Sequence, residues 1–161
     1  MTPWTRRSPE AAALLNPALL ALVSAAAGSQ YTRESDRSMA WPLIYLIAPM
    51  VLHQGTREAL PRDTRTHLST WVDRESTLRA GFPARAQSLI EPVREGLRFG
   101  MALGILAIDS GGGLLVAPPP DMRPIRSGDS EEIVRKAGFV GKWFAKAENP
   151  ATVFALLGVA P

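Results

Sequence analysis

The sequence predicts a mainly α-helical fold of about six to eight helices with one small β-hairpin. Apolar residues recur at helical spacing through most of the 161-residue chain, and Ser-Pro and Asn-Pro pairs mark helix starts. Only residues 105–117 place two short apolar runs on either side of consecutive glycines, which is the pattern of a hairpin. The length predicts one domain over residues 1–161, which could be winged-helix-like with this hairpin as the wing.

The composition argues against several classes of protein. The chain has no cysteine, which removes disulfides, thiolate nucleophiles and the common structural zinc sites. Lys and Arg number 18 against 15 Asp and Glu, so a net charge of +3 predicts only modest affinity for nucleic acid. The apolar runs, residues 11–27 and 42–52, fall short of the ~18 to 20 residues of a membrane span, and Asn16-Pro17 interrupts the outline of a secretory signal. We therefore expect a soluble cytoplasmic protein.

The first helices are defined by their starting residues. Ser8-Pro9 opens one helix, and Asn16-Pro17 breaks it and caps a second helix. This second helix should run to about Ala27 and end at Gly28. Residues 29–38 are polar with alternating charges and no apolar period, which predicts a surface loop.

The most informative stretch is residues 41–61. Its first half, Pro42 to Leu52, carries no charge and predicts a buried apolar helix. Its second half is abruptly polar and contains His53, Thr56, Arg57 and Glu58. A buried helix that ends in a polar cluster indicates a site or a docking surface.

Two further helices are expected in the middle of the chain. Thr64 should cap a helix over about residues 65–76, and Pro83 should begin another whose second half starts or bends at Pro92. The spacing places one apolar set on the inward face and Arg94 and Arg98 on a different face. The inward set is Leu89, Ile90, Val93, Leu97 and Met101.

The C-terminal part should be helical after a connector. Pro118 to Gly128 is proline-rich without a period, which predicts an ordered or extended connector. Ser130 opens the last long helix, to about Ala147, with an inward stripe of Ile133, Ala137, Val140 and Phe144. Asn149 then caps a short helix over residues 151–157, closed by Gly158.

The histidines are the first candidates for chemistry. His53 with Thr56, Arg57 and Glu58 could form an acid–base site, but it could equally be a buried, hydrogen-bonded histidine beside a structural Arg–Glu pair. The structural alternative is favoured because no catalytic spacing rule matches. His67 with Asp63 or Asp109 lacks any metal-ligand spacing, so the sequence predicts no metal site and no cofactor.

Glycines and cations in the second half allow several functions. Gly111 to Gly113 could bind phosphate, but no lysine follows them, so a hairpin turn is preferred. On the last long helix, basic residues lie close together beside aromatic ones, namely Arg135, Lys142 and Lys146 beside Phe139 and Trp143. This face could bind nucleic-acid phosphates or the acidic surface of a partner, or could simply be solvated. Gly138 and Gly141 indicate a tight packing contact of the same helix.

Several phrases of the sequence resemble one protein family. They are AALLNPAL (residues 12–19), PLIYLIAPMVLHQGTREALP (42–61), Trp71, GFPARAQ (81–87) and FVGKWFAKAENPATVFALLGVAP (139–161). Together they resemble the middle component of three-component ABC systems, a group that the small subunit of Lamassu-type antiphage defence also resembles. The phrases touch both ends and the centre of the chain.

The resemblance implies a non-enzymatic adaptor. Such a subunit would bind an SMC-like ABC ATPase and an effector, often a nuclease, and help to hold the effector inactive until foreign DNA is sensed. It would meet DNA through the complex and would not need a membrane. The residues that match the recurring phrases are Asn16, His53, Thr56, Arg57, Glu58, Trp71, Arg85, Lys142 and Trp143.

Two other functions remain open at the level of sequence. The first is a winged-helix-like DNA-binding regulator that contacts phosphates through Arg94, Arg98, Lys142 and Lys146. The second is a small hydrolase centred on His53 and Glu58. For the adaptor, the predicted partner-binding residues are His53, Thr56, Arg57, Glu58, Arg85, Arg94, Arg98, Arg135, Lys142, Trp143 and Lys146.

Overall fold

The computed structural model describes residues 8–117 and 128–160. Within them, the α-helices are α1 (Pro9–Leu14), α2 (Pro17–Ser35), α3 (Ile44–Leu52), α4 (Gln54–Ala59), α5 (Leu68–Arg74), α6 (Ser76–Ala80), α7 (Phe82–Ser88), α8 (Ile90–Ala102), α9 (Gly128–Phe144) and α10 (Pro150–Leu157). A 3₁₀ turn, Trp41–Leu43, precedes α3, and the strands are β1 (Met39–Ala40), β2 (Leu106–Ile108) and β3 (Gly113–Val116). The predicted class, mainly α with a small β element, is confirmed. The described helices are more numerous than expected because the middle of the chain, where two helices are predicted, forms four, α5 to α8.

Helix α2 is the longest element of the described chain and corrects the predicted loop. The Asn16 side chain accepts a hydrogen bond from the Ala18 N–H (2.8 Å), as a cap should. The helix does not end at Gly28, however, but continues until Asp36 adopts a left-handed conformation (φ 55°). Gly28 instead lies against β3, since a Cβ on it would sit 2.9 Å from Val116 Cγ2. The glycine makes room for a strand and does not stop the helix.

Helix α3 lies at the centre of the core, as its apolar sequence predicts. The side chains of Ile44, Leu46, Ile47, Met50 and Val51 are completely buried. Helices α2, α8 and α9 pack against it, and α2 also packs against both α8 and α9. Full burial of an aliphatic side chain contributes about 1.5–3 kcal/mol, so this helix is a main source of stability.

The helices between α4 and α8 begin and end at residues other than those predicted. The carboxylate of Asp63 accepts the Arg65 backbone N–H (2.9 Å) in a local turn, and α5 begins only after His67, so Thr64 does not cap it. The chain does break near Pro92, but at Leu89, between α7 and α8. Met101, expected on the inward face, is 38% exposed.

The sheet has the order β1-β3-β2 and is antiparallel throughout. The hairpin of β2 and β3 is confirmed, and its turn uses Gly112 at φ 79°. The Asp109 carboxylate accepts the backbone N–H groups of Gly111 and Gly113, each at 2.8 Å. Strand β1, which the sequence did not reveal, pairs with β3. The hairpin thus follows α8 and supplies two strands of a small three-stranded sheet.

The C-terminal helices follow the prediction closely. Helix α9 buries Ile133, Ala137, Val140 and Phe144, the predicted stripe, although it ends at Phe144 and not near Ala147. The Asn149 side chain caps α10 by accepting the Thr152 N–H (3.0 Å), and a left-handed Gly158 closes it. The predicted connector from residue 118 lies outside the described residues. None of the helices of residues 8–117 and 128–160 has both the length and the apolar character needed to cross a membrane.

Candidate partner-binding surfaces

His53 is a helix cap. Its backbone is extended (φ −80°, ψ 113°) between α3 and α4, and its Nδ1 accepts the Thr56 backbone N–H at 3.1 Å. The Thr56 hydroxyl lies 2.8 Å from the same nitrogen. An aromatic nitrogen thus performs here the task that a Ser or Asp oxygen usually performs at a helix start. The spacing of His53 and Thr56 has a structural explanation.

The charge state of His53 follows from the same geometry. His53 is exposed as a residue, but partial desolvation of its ring, followed by the positive charges of Arg85 and Arg57, lowers the pKa of His53 below its usual value. The histidine is thus hydrogen-bonded, as the structural alternative predicts, but it is not buried. The neutral ring is the form that can accept a hydrogen bond at Nδ1. At neutral pH the cap is therefore intact.

Arg57 turns inward and does not pair with Glu58. Its side chain is 7% exposed, its Nη1 donates to the Val51 carbonyl at 2.7 Å, and its Nε lies 3.6 Å from Oε2 of Glu132 on α9. Glu58 is exposed and accepts a hydrogen bond from Gln54 Nε2 at 2.8 Å. The predicted structural Arg57–Glu58 pair is therefore wrong, because Arg57 instead ties the end of α3 to Glu132 on α9.

Arg85 has a similar structural position. Its Nη2 donates to the Leu78 carbonyl at 2.6 Å, and its guanidinium lies 5.8 Å from the centre of the Phe82 ring. Burial lowers the pKa of Arg85. These contacts join α6 to α7, and the buried Nε of Arg85 has no hydrogen-bond partner among the described residues.

Trp143 lies inside the protein. It is 3% exposed, packs edge-to-face on Trp71 at 5.7 Å between ring centres, and donates its indole N–H to the Thr66 carbonyl at 2.7 Å. Trp71 donates in turn to the Ala59 carbonyl at 2.8 Å. Thr56 is also fully buried. These residues, which the sequence grouped with partner contacts, offer almost no surface in this structure.

The remaining cations of α9 border a groove between α2 and α9, which we call the basic groove. It is lined by Ala26, Ser29, Gln30, Arg33, Val134, Arg135, Gly138, Phe139 and Lys142. The ammonium groups of Lys142 and Lys146 lie 3.6 and 3.4 Å from the carboxylate of Glu34. Within the described part of the chain, Arg33 and Arg135 have no carboxylate partner. The groove therefore has an apolar floor and a net positive rim.

The sequence could not have located this groove completely. Arg33 and Glu34 fall in the segment that was predicted to be a loop, so only the α9 side was visible. Gly138 and Gly141 did indicate a tight contact, and the structure shows that its partner is α2. A Cβ on Gly141 would overlap the carbonyl oxygen of Ala27.

The two arginines of α8 differ in their environments. Arg94 Nη1 donates to Glu91 Oε1 at 2.5 Å, and hydrogen bonds to Tyr45 and Glu91 raise the pKa of Arg94. Arg98 is exposed on the next turn. Of the four cations predicted to contact DNA phosphates, Arg94, Lys142 and Lys146 thus have carboxylate partners within the chain.

A group of exposed apolar side chains was not predicted. In the described chain, the large apolar side chains with high exposure all fall between residues 99 and 115, at the end of α8 and on the hairpin. They are Phe99, Met101, Leu103, Ile108 and Leu115. They lie at the end of one helix and on the hairpin that follows it, which makes them candidates for a protein contact. The residues that the structure describes contain no cluster of three or more His, Cys, Asp or Glu that could hold a metal ion.

The described residues thus form a helical protein with the basic groove between α2 and α9 and with exposed apolar side chains on α8 and the hairpin. A family model, ABC-three component (ABC-3C) system Middle Component 3, matches residues 4–161. The chain belongs to this family of middle components of three-component ABC systems. No curated protein matches the chain, and no solved structure does.

Proposed function

We propose that the chain is a non-enzymatic adaptor of a bacterial antiphage or anti-plasmid defence complex that acts in the cytoplasm. In this role it bridges an SMC-like ABC ATPase to an effector, often a nuclease, and helps to hold the effector inactive until foreign DNA is sensed. The observation that carries the proposal is the family match over residues 4–161. A middle component is named for its place among other components.

The described surface supports an adaptor role. The basic groove presents Arg33 and Arg135 around an apolar floor, which suits an acidic segment of a protein partner. Glu34 lies within 3.6 Å of the ammonium groups of Lys142 and Lys146 and neutralises part of their charge, so this face lacks the continuous row of free cations that a phosphate backbone requires. We therefore place a protein, and not DNA, on this groove.

The proposed interface contains fewer residues than the sequence suggested. It uses the exposed cations Arg135, Lys142 and Lys146, together with Arg33. Thr56, Arg57 and Trp143 are excluded from it because their side chains are buried inside the chain. The exposed apolar side chains of α8 and the hairpin lie on other elements, which leaves room for a second partner as bridging requires.

The proposal is tested by Arg135→Glu. The chain is co-expressed with the ATPase and effector encoded beside it, and complexes are isolated through a tag on the ATPase. Arg135 is exposed and has no carboxylate partner in the described residues, so the variant should fold normally and its recovery should fall about tenfold. Arg74→Glu, an equal charge change on α5, should be recovered like the wild type.

Two results would contradict this proposal. Recovery of Arg135→Glu at the wild-type level would remove the basic groove from the interface. Failure of the wild-type chain to associate with either protein would remove the adaptor function itself.

A further inference from the structure

A cleft on another side of the molecule has the properties of a binding site. The 3₁₀ turn and the start of α3 form one wall, α7 and α8 form a second, and the end of the described chain closes it. Its volume is about 670 Å³, within the roughly 300–1,000 Å³ typical of ligand sites. Among the residues that the sequence predicted to bind a partner, Arg94 alone lines this cleft, and the basic groove shares no residue with it.

The walls of the cleft are apolar and aromatic. Trp41 and Tyr45 pack edge-to-face at 5.7 Å between ring centres and are only half-buried. Pro42, Pro83 and Phe154 complete the apolar lining. Rigid aromatic and proline surfaces of this kind bind flat, preformed apolar groups at a low cost in conformational entropy.

Each polar side chain of the cleft can donate a hydrogen bond. Outside the cleft, the buried Trp71 and Trp143 both donate their indole N–H groups to backbone carbonyls. By contrast, neither the Trp41 indole N–H nor the Gln87 side-chain amide has a hydrogen-bond partner among the residues that the structure describes. Arg94 adds a guanidinium that is 49% exposed, and no carboxylate residue lines the cleft. A matching ligand needs acceptors and one negative charge.

We propose that this cleft binds a proline-rich, extended segment of a partner protein that carries an acidic residue. Proline residues offer carbonyl acceptors but no N–H group, so they match a surface that supplies donors. Their rings pack on aromatic side chains, and the polyproline II helix is preformed. The acidic residue pairs with the exposed part of the Arg94 guanidinium, whose Nη1 is already held by Glu91 on the same helix.

This inference does not depend on the adaptor proposal, because the cleft and the basic groove are separate surfaces. The probe is a fluorescein-labelled peptide of sequence PPPPDPPPP, titrated with the full chain and followed by fluorescence anisotropy. Two matched peptides replace the aspartate by lysine or all prolines by glycine. We expect binding of the first peptide and at least about tenfold weaker binding of both matched peptides.

Variants on α8 provide the matched control. Arg94→Glu should weaken binding of PPPPDPPPP at least about tenfold and remove its advantage over the lysine peptide. Arg98→Glu, the same charge change one turn along the helix and outside the cleft, should change the affinity less than about twofold. Circular dichroism of both variants verifies that they are folded.

A second measurement locates the site. In a ¹⁵N–¹H spectrum, the indole resonance of Trp41, assigned through Trp41→Phe, should shift on titration while those of the buried Trp71 and Trp143 stay in place. Several results would overturn the proposal: no binding at about 1 mM peptide, equal binding of the glycine peptide, an unchanged affinity in Arg94→Glu, or a Trp41 resonance that does not move.

Discussion

The packing of α9 against α2 gives the sharpest prediction of stability. Gly141 lies so close to α2 that an added Cβ would overlap the Ala27 carbonyl oxygen and sit 2.7 Å from the Ala27 Cα. Non-bonded carbon atoms prefer about 3.5–4.0 Å, so Gly141→Ala requires the two helices to separate by about 1 Å. The obstacle is backbone, which cannot rotate away as a side chain could.

The expected magnitude follows from two opposing effects. Alanine stabilises a helix by about 1 kcal/mol relative to glycine, whereas overpacking a core costs about 1–3 kcal/mol. We place the cost at the upper end because α2 and α9 form the most extensive contact between elements. Gly141→Ala should therefore lower the free energy of unfolding by about 2 kcal/mol.

Gly138→Ala is the matched control on the same helix. There, the nearest atoms to an added Cβ are Gln30 Cγ at 3.2 Å and the Ala26 carbonyl oxygen at 3.7 Å, and the glutamine can move. This variant should be neutral or up to about 1 kcal/mol more stable than the wild type. The two variants should differ by about 2–3 kcal/mol, or roughly 5–10 °C in melting temperature.

Urea denaturation followed by far-UV circular dichroism measures both variants. The comparison is valid if the dependence of the unfolding free energy on urea concentration is unchanged. Equal stabilities of Gly138→Ala and Gly141→Ala, or a more stable Gly141→Ala, would refute the close approach of the two helices and with it the position of the basic groove.

Two further predictions concern the segment between α3 and α9. The pKa of His53 is lowered in the folded state, so the folded chain resists protonation and should lose stability as the pH falls below about 6.5. This loss should be smaller in His53→Asn, because asparagine keeps a capping group but does not titrate. Equal loss of stability in both proteins between about pH 8 and pH 5 would contradict the cap. Arg57→Met should lower the free energy of unfolding by about 1.5–3 kcal/mol in urea, because the Val51 carbonyl at the end of α3 and Glu132 both lose their cationic partner. A change in Arg57→Met below about 0.5 kcal/mol would show that these contacts contribute little.

The sequence was enough to predict the local structure wherever neighbouring residues determine it. The caps at Asn16 and Asn149 and the hairpin turn at Gly112 were predicted, because each depends on a few adjacent side chains or on one backbone conformation. Helix α3 and the inward stripe of α9 were predicted from apolar spacing alone. These features are the ones that hydrophobic burial and capping determine directly.

The sequence did not predict the position of a residue where contacts with distant parts of the chain determine it. Gly28 continues a helix because β3 packs over it, which no local pattern reveals. Trp143 was grouped with the basic face, but its packing on Trp71 and its hydrogen bond to Thr66 place it inside. Arg57 similarly pairs with Glu132, far along the chain, and not with its neighbour. The candidate surfaces were thus predicted only in part.

The most direct test of the adaptor proposal is whether the chain is required to join its partners. The ATPase and the effector encoded beside it are co-expressed with and without this chain, and the effector is purified through a tag. We predict that the ATPase co-elutes with the effector on size exclusion only when the chain is present. Equal co-elution without the chain, or a chain that remains a lone monomer in the presence of both proteins, would contradict the bridging function.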